Sequence, residues 1–129
     1  METMGVDIAT DRPPGTLAWV RDRARSFLEG LVPTLASEAA DTVVLVVSEL
    51  VTHALRHGGG TCALGLAARP DSIEAAVHDP SLHAPRMCAP DLDGGTGGFG
   101  RPMVNRLATA TSVTCRASGG KTVSASLPR

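Results

Sequence analysis

Glu49, His53 and His57 stand four residues apart in VVLVVSELVTHALRHG, the run from Val43 to Gly58. Positions i and i+4 of an α-helix lie one above the other, so the spacing predicts a stripe of one carboxylate and two imidazoles. The rest of the helix is apolar, and side chains of these types are costly to bury for packing alone. Two chemistries fit the stripe. A helix carboxylate can take a proton from an attacking hydroxyl or water as a general base. Alternatively, two imidazoles at i and i+4 have the spacing with which helical histidines grip zinc. The zinc-protease motif H-E-x-x-H needs Glu directly after its first His, and Ala54 stands there. What survives of the metal reading is a bound zinc held by Glu49, His53 and His57.

Other candidate residues lie downstream. Asp79 closes the strand-like run SIEAAVHD. Gly94, Gly95, Gly97, Gly98 and Gly100 crowd the segment just before Arg101-Pro102. Glycines let backbone N–H groups approach a phosphate, and a helix start beyond them adds partial positive charge. Thr122 follows Gly119-Gly120-Lys121 at the head of the last strand-like run.

The elements that must carry these residues follow from periodicity. Leu17, Val20, Ala24, Phe27, Leu28 and Leu31 recur at helical spacing after a cap at Thr16, and Gly30 to Pro33 ends that helix. A second helix runs from a cap at Ser37 to about His57 and stops at Gly58-Gly59-Gly60. The runs 61–68 and 72–79 read as strands joined through Arg69-Pro70-Asp71. Residues 80–100 read as a long Pro/Gly-rich stretch of the kind that either serves as a lid or binding loop or is disordered. Pro102 suits the first turn of a third helix through Leu107 or Ala108, and TSVTCRA and KTVSASL read as a closing hairpin. Grouped strand pairs with helices in runs predict an α+β two-layer sandwich, a mostly antiparallel sheet with about three helices on one face. No strand leads into G-x-G-x-x-G and a helix, which excludes a Rossmann fold. Residues 1–14 read as a flexible leader and residues 15–129 as one domain.

Composition narrows the function classes. The chain has 129 residues, 43% of them hydrophobic, enough for one domain with a real core. Only Trp19, Phe27 and Phe99 are aromatic and the net charge is -1, so neither stacking platform nor basic footprint for nucleic acid is present. Cys62, Cys88 and Cys115 are odd in number and form no C-x-x-C, which suits a reduced, cytoplasmic protein better than a disulfide framework. No apolar stretch approaches the length of a membrane span and the N-terminus does not read as a signal peptide.

Four segments, SELVTHALRHG, VHDPSLHAP, GGTGGFGRPMVNRLA and GGKTVSASL, resemble in order, spacing and content the ATP-binding domain of the anti-sigma-factor serine kinases. That group belongs to the Bergerat-fold, or GHKL, ATPases, with the histidine kinases and gyrase. The resemblance covers residues 15 to 128. It implies a Bergerat-type fold that binds ATP or ADP and holds a sigma factor or a STAS-domain antagonist in partner switching, often as a homodimer. It implies Glu49 as general base, Asp79 as acceptor for the adenine amino group, and Thr122 near that aspartate. Gly95, Gly97, Gly98, Gly100 and Arg101 match the lid and helix start facing the triphosphate. The family usually reads Gly-Arg-Gly-Leu-x-Leu-Val there, whereas this chain has Gly98-Phe99-Gly100-Arg101-Pro102-Met103-Val104. Arg101 can reach phosphate from a shifted position; Phe99 cannot replace a basic side chain.

The larger departure is His53, which stands where the family has an Asn whose oxygen holds Mg²⁺. Magnesium demands hard oxygen ligands in near-octahedral geometry, whereas imidazole nitrogen suits zinc or copper. Three outcomes follow: weak use of Mg·ATP, nucleotide binding without turnover, or no nucleotide at all. The chemistry favours the second. An active serine kinase on a STAS antagonist, and an interaction or zinc-binding module without nucleotide, are the alternatives.

Overall fold

A computed structural model describes residues 2–9, 15–57, 61–79, 102–115 and 120–129. Its elements run β1 (Glu2–Ala9), α1 (Thr16–Glu29), α2 (Ser37–His57), β2 (Thr61–Ala68), β3 (Ser72–Asp79), α3 (Pro102–Leu107), β4 (Ala110–Cys115) and β5 (Lys121–Pro128). Among the described residues the strands form one five-stranded sheet in the order β1-β2-β3-β5-β4, and every pairing there is antiparallel.

The sheet separates its faces by strict alternation. In β2, β3 and β5 every second residue is buried: Cys62, Leu64, Leu66 and Ala68; Ile73, Ala75, Val77 and Asp79; Lys121, Val123, Ala125 and Leu127. Successive side chains of a strand point to opposite faces, so these three sets share the covered face. Across them lies α2, packed on β2, β3 and β5 through Val43, Val46, Val47, Leu50, Val51 and Ala54. Each buried side chain of valine or leucine size contributes about 1.5–3 kcal/mol. Helix α1 buries Val20, Ala24 and Leu28 against α2 and β1. It opens on Gly15, whose φ of 102° is a left-handed conformation that favours glycine, so Thr16 is its first helical residue rather than its cap. The α+β two-layer arrangement matches the expectation from sequence.

The N-terminus does not. Residues 2–9 read from sequence as part of a loose leader, but they form the edge strand β1, paired with β2 from Glu2↔Ala68 to Ala9↔Thr61. Met4, Val6 and Ile8 alternate toward the covered face, with Val6 and Ile8 buried. A two-residue period this short becomes a strand only because β2 offers an unpaired edge for it to join. The remainder of the expected leader, residues 10–14, lies outside the described residues.

The thiols also depart in part. Cys62 is free and buried, whereas Cys115 is disulfide-bonded, so the expectation of reduced cysteines does not hold at that position. No helix among the described residues is long and apolar enough to cross a membrane.

Candidate functional site

Residues 58–60 alone separate the end of α2 from the start of β2, which brings the last turn of α2 and Cys62 to one end of the domain. The antiparallel register adds the far end of β3 to the same place, since Ala63 pairs with His78 and Asp79 follows. Asp79 in turn pairs with Lys121, the first residue of β5. Topology therefore gathers the last turn of α2, Cys62, Asp79 and Lys121 at one rim of the helix–sheet interface.

Helix α2 supplies Glu49 and His53. The apolar positions on either side, Leu50, Val51 and Ala54, are buried and fix the rotation of the helix, which leaves Glu49 and His53 half-buried at its flank. The Nε2 atom of His53 is shut from solvent. Ser48, next to Glu49, is buried, and its hydroxyl accepts a hydrogen bond from Arg21 Nε at 2.8 Å. That bond ties α1 to the turn that carries Glu49. The side chain of His57 lies outside the described residues, so the third member of the predicted stripe is not placed. Among the described residues no group of three or more His, Cys, Asp or Glu side chains can hold a metal ion.

The sheet supplies a buried pair of opposite charges. Lys121 Nζ donates to Asp79 Oδ2 at 3.1 Å, with the two side chains 4% and 3% exposed. An unpaired charge so far from water would be prohibitive, and each ion here offsets the desolvation of the other. Cys62 sits within reach of this pair. Burial, and secondarily the Asp79 carboxylate, pushes its thiol up to about 11, so it remains protonated and unreactive at neutral pH.

Thr122 is not beside Asp79. It lies on the opposite face of β5, where its Oγ1 is 3.3 Å from His78 Nδ1. Lys121 holds the inward place instead. The turn into β5 sets this phase: Gly120 has a φ of 89°, a conformation that L side chains rarely adopt, and is itself buried. The signal was present in the sequence, because Val123, Ala125 and Leu127 alternate inward and Lys121 continues their series. Motif position pointed to Thr122; strand period pointed to Lys121. Gly95, Gly97, Gly98, Gly100 and Arg101 lie outside the described residues. Beyond them, Val104 anchors α3 to the core by full burial, and α3 packs on α2.

This arrangement, one long helix flanking the charged rim of an antiparallel sheet, accompanies a family match. The histidine kinase-like ATPase domain family matches residues 12–127. The chain belongs to that family. No curated protein matches the sequence. Among solved structures, the crystal structure of the RsbU and RsbW domains of Rv1364c from Mycobacterium tuberculosis is similar at a TM-score of 0.69 and 17% identity. The similarity covers 98% of this chain and 32% of that one, and at this identity it speaks for the fold. The charged rim sets one hydrogen-bond acceptor and one donor side by side. A buried carboxylate accepts and a buried ammonium donates.

Proposed function

We propose that this protein is a nucleotide-binding regulator of the partner-switching type. It binds ATP or ADP between α2 and the Asp79 rim, and holds a sigma factor or a STAS-domain antagonist according to the nucleotide bound. The observation that carries this reading is the buried Asp79 at the end of β3 in a chain of the histidine kinase-like ATPase family. Asp79 is the residue that the resemblance to anti-sigma-factor serine kinases assigns to the adenine amino group. The RsbW domain in the structural neighbour supports the same branch of the family.

Within this reading Glu49 is the general base, and Gly95, Gly97, Gly98, Gly100 and Arg101 face the triphosphate. Glycine N–H groups and one guanidinium suit that task. His53 is the weak point for catalysis. Magnesium normally neutralises the charge that develops in phosphoryl transfer, and imidazole nitrogen does not fit its oxygen preference. Binding therefore outlasts turnover, and serine kinase activity is weak or lost.

Calorimetric titration with ATP and ADP, each with and without Mg²⁺, tests the reading. The expected result is binding that depends little on Mg²⁺, with scant phosphoserine formed on a STAS-domain partner from labelled ATP. His53→Asn is expected to strengthen the dependence on Mg²⁺ and raise transfer. Phosphorylation by the unaltered protein at ordinary kinase rates overturns the loss of turnover. Absence of binding under every condition sinks the nucleotide reading, and stoichiometric zinc in untagged protein puts the Glu49, His53 and His57 alternative in its place.

A further inference from the structure

The Asp79–Lys121 pair is more than a neutralised charge. An ammonium has three N–H donors, and the bond to Asp79 Oδ2 at 3.1 Å uses one. Among the described residues Lys121 makes no other side-chain bond, although its side chain is only 4% exposed. A buried donor with unused capacity is costly unless something supplies an acceptor. The donor and the acceptor sit side by side at the rim where the end of β3 meets the start of β5. Together they complement a ligand edge that presents a hydrogen-bond donor next to an acceptor.

The six-membered ring of adenine has such an edge, with the exocyclic amino group beside ring nitrogen N1. We propose that Lys121 is a second base-reading residue, donating to N1 while Asp79 accepts from the amino group. The proposal rests on the nucleotide reading above and deepens it by naming what sets base selectivity. The ammonium keeps its bond to the carboxylate while it engages N1, so base binding fills an open donor without breaking the buried ion pair. A hydrogen bond from a charged donor in a site closed to water is among the stronger kinds, which sets the size of the expected effect.

Binding of ADP and of 1-deaza-ADP, in which a C–H replaces N1, is measured by calorimetry on the unaltered protein and on Lys121→Met. The unaltered protein is expected to bind 1-deaza-ADP about tenfold more weakly than ADP or worse. Lys121→Met is expected to lose a similar factor for ADP and to cease distinguishing the two ligands. Equal affinity of the unaltered protein for both overturns the role of Lys121, and this arm needs no variant, so it stands even where Lys121→Met fails to fold. Tighter ADP binding by Lys121→Met also overturns it, marking the lysine as an obstruction to the base. Failure of the unaltered protein to bind any adenine nucleotide is a separate result, which removes the nucleotide reading itself.

Discussion

Opposite ends of the sheet each carry an ion pair of nearly the same length, and they do different work. At the rim where β3 ends, Lys121 and Asp79 meet at 3.1 Å with side chains 4% and 3% exposed. Near the other end, Arg69 and Glu74 meet at 3.0 Å with side chains 48% and 40% exposed. Distance is not what separates them. Water screens the exposed pair and solvates each partner when the other leaves, whereas the buried pair has no such substitute. A protein that only needed a stable sheet end would gain more from apolar residues at positions 79 and 121, so the buried pair fits the nucleotide role proposed for it.

The contrast can be broken in order of effect. Asp79→Ala leaves the Lys121 ammonium buried without its partner and is expected to cost about 3–5 kcal/mol by denaturant unfolding. A cost below about 1 kcal/mol would mean that water reaches the rim and that the two ends are alike. Next comes Cys62, whose thiol burial and the Asp79 charge push up from 9.0 to about 11. The native state holds this proton more tightly than the unfolded chain, so the contribution is complete below about pH 9 and declines as pH rises toward 11. The loss is on the order of 1–2 kcal/mol. Cys62→Ala, compared with the unaltered chain across that range, isolates it from other titrating groups, and parallel curves would refute a closed rim. Smallest is Glu74→Gln at the exposed pair, expected to change stability by about 0.5 kcal/mol or less and to lose even that in high salt.

Helices and interior strands were legible because their signals are local. The alternation over 61–68 and 72–79 gives β2 and β3 with their observed limits, and the 3.6-residue period with its glycine stop gives α2. Edge strand β1 was not legible. Its three alternating apolar residues are too few to specify a strand, and only the open edge of β2 makes them one. The candidate site divides in the same way. Asp79 was found by its position at a strand end and is buried there. Thr122 was chosen by its place in a motif, and the one-residue phase of β5 turned it to the outer face and brought Lys121 in. Arg21, which holds Ser48 beside Glu49 across 27 residues of chain, carries no sequence signal that would pair the two.

By itself, the sequence determined the helix and strands that carry the candidate residues and the family to which their spacing belongs. Those are matters of residue type and short-range period. Strand period put Lys121 in phase with Val123, Ala125 and Leu127, and tertiary structure decided that this face is the covered one and that it meets Asp79 at a buried rim. Side chains of a strand alternate between faces, and the direction in which β5 leaves Gly120 is set by the whole sheet.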